Sequence, residues 1–390
     1  MIASWVWLVF LFVLGACVGS FLNVVAYRLP REMSLIEPSS HCPACKQPIS
    51  WYDNVPILGW FLLRGRCRRC GGAFSIRYAA VELLTALLFV AVYVAYFRLE
   101  VRHGLPEFTE GGWLIYAGHM VLICGLLASS LIDAEHWIIP LSVSYTVAGA
   151  GLGLSVVWPY ILSGSGVAEA GVIPLAGPRT GALALGAALG LGLGNLALWK
   201  GLIKRSFAEL AEAEEEARKN NLPVPDVPVS VRREMVRELA FLAPVVVGGW
   251  LCYRLLATNG GLGETWNRLL VEQKWLGGLL GSVFGFMIGG GVVWATRVLG
   301  SLALGREAMG LGDVHLMAAV GAVLGWRTPA LAFFVAPFLG LGYALTRLVV
   351  HRTREIPYGP FLSAATVVVM LVHDPAVEHL RNALGFGGLP

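Results

Sequence analysis

Ten apolar runs divide this 390-residue sequence, and most are close to the length of a bilayer crossing. They lie at 3–27, 79–97, 113–132, 138–161, 181–203, 240–257, 275–296, 314–326, 328–349 and 358–373. A helix needs about 20 apolar residues to cross the hydrocarbon core. A spanning segment must also satisfy every backbone polar group internally. The runs therefore predict an all-α fold, a polytopic helical membrane protein of about 8–10 transmembrane helices. Charged residues make up 14% of the chain, against about 25% in soluble domains, which excludes an ordinary soluble enzyme. The run 314–326 is too short to cross upright, and is expected to be tilted, re-entrant or continuous with its neighbour.

Loop charge orients the spans. Segment 28–78 carries Arg28, Arg31, Lys46, Arg64, Arg66, Arg68, Arg69 and Arg77, and short basic loops stay cytoplasmic. Alternation from there puts 98–112 outside. It puts 133–137, 204–239, 297–313 and the basic run 351–354 inside. The net charge of +4 is a loop asymmetry rather than a nucleic-acid footprint, and no nucleic-acid partner is expected. Residues 1–27 lack a basic n-region and read as a retained first helix rather than a secretory signal. Leu14-Gly15-Ala16-Cys17 has the form of a lipoprotein box, but the apolar run continues past it.

One acid stands at the edge of this apolar pattern. Ala308-Met309-Gly310-Leu311-Gly312-Asp313-Val314-His315-Leu316 lies between the runs 275–296 and 314–326. An ionised Asp at the bilayer centre costs roughly 2.5–3.5 kcal/mol, so an acid near membrane depth points to function. Gly310 and Gly312 lack Cβ atoms and allow close approach of another element. Asp133, after the run 113–132, falls at the same cytoplasmic face by the charge count. Two such acids suggest an aspartyl protease dyad. The competing reading makes Asp313 the N-cap of the helix that follows.

Cys42-Pro43-Ala44-Cys45 and Cys67-Arg68-Arg69-Cys70 form a C-x2-C-x21-C-x2-C pattern. Four thiolates close a tetrahedron around zinc, and a reducing compartment disfavours disulfides. With no open ligand position, the metal is expected to be structural. A redox dithiol is the competing reading. Cys17, Cys124 and Cys252 sit in apolar runs as packing residues.

Several further stretches join these: Gly19-Ser20-Phe21-Leu22-Asn23, Ile49-Ser50-Trp51-Tyr52-Asp53-Asn54-Val55-Pro56, Arg77-Tyr78-Ala79-Ala80-Val81-Glu82, and Ile132-Asp133 leading to Ile139-Pro140. With Gly310-Leu311-Gly312-Asp313 they closely resemble, over roughly 1–160 and 270–373, the type IV prepilin peptidases of type IV pili and type II secretion. These are bifunctional leader peptidases and N-methyltransferases. The resemblance implies that Asp133 and Asp313 are the catalytic pair and that the four cysteines hold zinc; Gly310, Gly312 and His315 are read as supporting the motif around Asp313. It implies prepilin or pseudopilin substrates cut after a Gly. It also implies methyl transfer from S-adenosylmethionine to the new N-terminus, with contributors among Asn23, Arg28, Asp53, Asn54, Arg77, Tyr78 and Glu82. A structural Arg77–Glu82 pair is the alternative for those two. The implied location is the bacterial inner membrane, among lipid, with the active site toward the cytoplasm.

On this reading the chain divides into a first transmembrane helix (1–27), a zinc-binding cytoplasmic loop (28–78), helices carrying the first acid (79–180), an inserted transmembrane pair (181–257) around an arm (204–239), and closing helices with the Gly-x-Gly-Asp motif (258–390). Three features depart from the family pattern: Leu141 after Ile-Pro, His315 two residues after Asp313, and the insertion itself. The arm combines a surface helix over 207–220 with Pro223, Pro225 and Pro228. It reads as solvated, and its removal is expected to leave cleavage intact. The rival function is a transporter or membrane scaffold, because paired membrane acids also relay protons. Transporters more often carry internal repeats with midplane sites. A peptidase of the same fold without methyl transfer is the second rival.

Overall fold

The computed structural model describes residues 4–102, 104–161, 173–208, 213, 216–217, 220, 230–257, 260–347, 349 and 357–383. Among them the secondary structure is helical, with two isolated β-bridges and no strand. The helices are α1 (Ser4–Arg28), α2 (Leu58–Leu62), α3 (Arg77–Phe97), α4 (Gly112–His136), α5 (Leu141–Ile161) and α6 (Pro178–Trp199). They continue as α7 (Val231–Leu256), α8 (Gly261–Glu272), α9 (Lys274–Leu304), α10 (Leu311–Leu324), α11 (Arg327–Thr346) and α12 (Gly359–Ala383). Eight described helices, α1, α3 to α7, α9 and α11, are long and apolar enough to cross a membrane. Helix α10 and the stretch Gly359–Val372 are shorter apolar helices.

The chain forms two compact units. One takes in Met1–Val147 and Phe334–Pro390; the other takes in Ala148–Ser163 and Ile173–Phe333. In the first, α1 packs along α3, and α4 packs against α1 and α12. Leu22, Val25, Val81 and Ala128 meet in their common core. Ser363 on α12 donates to the Leu126 carbonyl of α4 at 3.3 Å. In the second unit α6 pairs with α7, and α9 pairs with α10. Lipid offers no hydrophobic drive between helices, so small residues and close backbones supply the attraction. A Cβ on Gly285 of α9 would lie 2.0 Å from the Gly321 carbonyl of α10. Ser282 donates to the Ala322 carbonyl at 2.6 Å along the same seam.

Helix α10 answers the question raised by its short apolar run. Fourteen residues at 1.5 Å each make about 21 Å, short of a crossing. It is instead buried almost all round, from Asp313 through Leu324. Helix α8 is an addition to the sequence reading. It is amphipathic, with Trp266 and Leu270 buried and Leu262 and Val271 exposed, and Trp266 donates to the Pro178 carbonyl at 2.9 Å.

The arm needs correction. Its expected surface helix over 207–220, Pro223, Pro225 and Pro228, and the basic run 351–354 lie largely or wholly outside the described residues. The described ends of the arm are not simply solvated. Helix α7 starts at Val231, well before the expected span at 240. Glu234 is 2% exposed, and its carboxylate accepts from the Phe207 amide at 2.8 Å and from Arg237 at 2.9 Å. An acid can be buried when every lone pair has a donor, and removing one partner of such a pair costs about 3–5 kcal/mol.

Candidate active site and metal centre

Asp133 lies in the last turn of α4, in the first unit, and is 6% exposed. A negative charge at a helix C-terminus is disfavoured by the helix's own dipole. The N-terminus of α12 offsets this, because the Gly359 amide donates to Asp133 Oδ2 at 3.1 Å. The approach requires glycine: a Cβ at 359 would stand 2.8 Å from that oxygen. Next along α4, Glu135 pairs with Arg77 at the start of α3. Arg77 is therefore committed to Glu135 rather than to Glu82.

Asp313 lies in the first turn of α10, in the second unit, and is 8% exposed. The N-cap is Gly310, extended at φ −71°, ψ 148°, and its residue type offers no side-chain cap. Asp313 sits three residues inside the helix, so the capping reading gives way to a first-turn acid favoured by the dipole. His315 Nδ1 is 2.7 Å from the Leu311 carbonyl. A carbonyl only accepts, so Nδ1 carries a proton and donates within the helix.

The four cysteines come together. Their Sγ atoms all lie within 4.8 Å of one another, with Cys42 and Cys70 at 3.8 Å. A tetrahedral site with Zn–S near 2.3 Å has edges of about 3.8 Å, so the sulfurs fit a metal and are too far apart for disulfides. All four are free thiols. Each pair sits on the same small hairpin, repeated 25 residues later. Cys42 N donates to the Gln47 carbonyl and Cys67 N to the Gly72 carbonyl, both at 2.9 Å. Bridges His41–Pro48 and Arg66–Ala73 close the hairpins. The tight turns need left-handed residues at Lys46 (φ 58°) and Gly71 (φ 70°). The Cys45 amide, more than any other group, holds the Cys42 thiol down to about 6, whereas Cys70 in the same cluster is pushed up to about 11 against the lowering pull of the Gly72 amide.

The hairpins wall one side of a 290 Å³ cavity, with α1 and the start of α3 on the others. Asn23, Arg28, Asp53, Asn54, Tyr78 and Glu82 all line it, as do Tyr52 and Trp60; Arg77 does not. Asn23 Nδ2 donates to the Tyr78 carbonyl at 3.0 Å, joining α1 to α3. Buried Arg28 is spent on the Ser34 and Pro38 carbonyls and pins the loop to α1. Glu82 accepts from the Ile57 amide at 2.6 Å and Arg77 pairs with Glu135, so the alternative of an Arg77–Glu82 pair is set aside. Asp53 takes Arg68 in a fork, at 2.6 and 2.9 Å, and that guanidinium holds its carboxyl below the usual range.

The family model described as the bacterial peptidase A24 N-terminal domain matches residues 13–96, which hold the four cysteines and the cavity residues. The model of the type IV leader peptidase family matches 250–345, which hold Gly310 to Asp313. A Klebsiella pneumoniae protein named prepilin leader peptidase/N-methyltransferase is 36% identical over 200 residues, 50% of this chain and 72% of its own. The chain belongs to the type IV leader peptidase family. A like-named Myxococcus xanthus protein is 46% identical over 154 residues, covering 39% of this chain and 40% of its own. An Aeromonas hydrophila relative of that name is 25% identical over 409 residues, 97% of this chain and 96% of its own. No solved structure matches.

A member of this family is an enzyme, a peptidase in a multi-pass membrane protein. The transporter or scaffold reading is not favoured. Gly359 was missed from the sequence. Its signal was Pro357-Tyr358-Gly359-Pro360 at the head of an apolar run, where a helix start meets a glycine.

Proposed function

We propose that Asp133 and Asp313 form an aspartyl dyad that removes the leader of prepilins or pseudopilins at the cytoplasmic face of a bacterial inner membrane. The observation that carries this reading is the leader peptidase family match over 250–345, the segment with Gly310-Leu311-Gly312-Asp313. Two neighbouring carboxylates cannot both ionise cheaply and share one proton. The ionised member takes a proton from water, whose oxygen attacks the scissile carbonyl. The protonated member donates to the developing oxyanion. Collapse of the tetrahedral intermediate then breaks the C–N bond, and a proton passes to the leaving amine. The Gly359 amide on Oδ2 fixes the rotation of the Asp133 carboxyl.

The second activity, N-methylation, belongs to the cavity beside the hairpins. Its volume of 290 Å³ is close to the lower end of ligand sites, about 300 Å³, and it combines two acids with the rings of Tyr52 and Trp60. S-adenosylmethionine supplies an electrophilic methyl group on a sulfonium. Asp53 and Glu82 provide carboxylates for hydroxyls or the cation, and Tyr52 and Trp60 provide flat faces for a base. Zinc on Cys42, Cys45, Cys67 and Cys70 holds the cavity wall and takes no part in the chemistry. The purified full chain in detergent, given prepilin peptides, tests the reading. Asp133→Asn and Asp313→Asn are each expected to lower cleavage at least about 100-fold while remaining inserted. Near-normal cleavage by either variant refutes the dyad.

A further inference from the structure

The loop that leads into Gly310 has little of its own to hold it. Residues 305–308 are exposed, Gly305 is left-handed at φ 68°, and Gly310 and Gly312 follow. Its order comes from ties back to α9. Ser301 Oγ accepts from the Ala308 amide at 3.0 Å. Arg297, 1% exposed, donates through Nη1 to the Glu307 carboxylate and to the Met309 carbonyl, one residue before Gly310.

Arg297 is itself held from the inserted segment. Its Nε donates to Glu238 of α7 at 3.1 and 3.3 Å. Glu238, 3% exposed, is locked in turn by Trp294 Nε1 at 2.6 Å and Ser206 Oγ at 3.1 Å. The guanidinium also lies 5.5 Å from the Phe207 ring. A planar fork can face a carboxylate on one edge and a loop on the other, which an ammonium cannot do.

We propose that Arg297, braced by Glu238, is a positioning residue that fixes the loop carrying Gly310 to Asp313 and so sets the Asp313 carboxyl for cleavage. This rests on the reading of Asp313 as a catalytic acid. It gives the inserted segment a role in catalysis without placing any of its residues at the substrate.

The test uses the full-length protein in detergent and a peptide carrying a basic leader, the cleavage-site Gly and the start of the apolar segment. The main variant joins Arg297→Met to Glu238→Met, so that neither charge is left buried alone. Its kcat is expected to fall about 10- to 100-fold, the effect of a misplaced reacting group, with KM within about twofold. Amide exchange is expected to quicken over 305–313, while methyl transfer to a pre-cleaved peptide is unchanged. Arg297→Lys is expected to fail in the same direction. A double variant with wild-type kcat, or with lost kcat but unchanged exchange over 305–313, overturns the proposal. If the double variant does not fold, Glu238→Gln, which keeps the shape, replaces it. The same fall is expected, and unchanged kcat and exchange overturn the role. An Asp313→Asn variant that cleaves normally removes the catalytic reading itself. An inactive Asp313→Asn beside a fully active double variant removes only the positioning role.

Discussion

At the scale of single residues, the two proposed acids owe their settings to different helix ends. Asp133 is at the unfavourable end of α4 and is compensated by the α12 N-terminus. Asp313 is at the favourable end of α10. Gly359→Ala is therefore expected to lower cleavage about 10-fold or more by displacing Oδ2, with methyl transfer to a pre-cleaved peptide intact. Parallel assays of the two activities check this, and equal loss of both points to misfolding instead. Asp53 carries a pH prediction. Arg68 lowers its pKa, so the pair's contribution is present above the unfolded value near 3.9 and is lost only as pH falls through the lower folded one. Asp53 thus stays ionised from pH 5 to 9. Methyl transfer is expected to rise with pH through the amine's pKa of about 7.7–8.0, with no added step near pH 4–6 from Asp53. The pH profile with a pre-cleaved peptide measures it.

At the scale of elements, the two hairpins are too small to hold a core, and a metal on the four thiolates is expected to order them. A structural zinc contributes about 10–16 kcal/mol at neutral pH. One zinc per chain is expected by elemental analysis, and none in a quadruple Cys→Ser variant. Because the hairpins wall the cavity, that variant is expected to lose methyl transfer while keeping most cleavage. The arm shows the reverse case, an element whose charge suggested a solvated strand of chain. Deleting 206–236 removes Ser206, which donates to Glu238, Phe207, whose ring faces Arg297, and Glu234, which holds the Phe207 amide. Cleavage is now expected to fall about 10-fold or more in a correctly inserted deletion variant. Retention of full activity shows that Ser206, Phe207 and Glu234 are dispensable to cleavage.

For the whole molecule, the proposed acids stand in different compact units, whereas the cavity and hairpins lie in the first. Asp313→Asn is therefore expected to methylate a pre-cleaved pilin peptide at near wild-type rate. Arg77 is expected to behave differently from Asp53. It lies outside the cavity lining and pairs with Glu135, two residues from Asp133. Arg77→Ala is expected to lower cleavage at least as much as methylation, while Asp53→Asn lowers methylation alone. Mass spectrometry of pilin N-termini reads both outcomes.

The membrane class, the approximate spans and the two cysteine pairs were determined by sequence alone. Each depends on local composition or short spacing: apolar length for a crossing, and two residues between thiols for a metal-binding turn. The family was legible for a similar reason, since its motifs are contiguous. Which donors meet which acids was decided only by tertiary structure. Arg77 and Glu82 are close in sequence and offered a possible pair, yet packing gave Arg77 to Glu135 and Glu82 to the Ile57 amide. Asp133 lies 226 residues from Gly359, and Arg297 lies 59 from Glu238. No local pattern encodes such partners. A buried charge takes whatever donor or acceptor the helix packing brings to it, because leaving it unsatisfied costs more than any helix propensity can return.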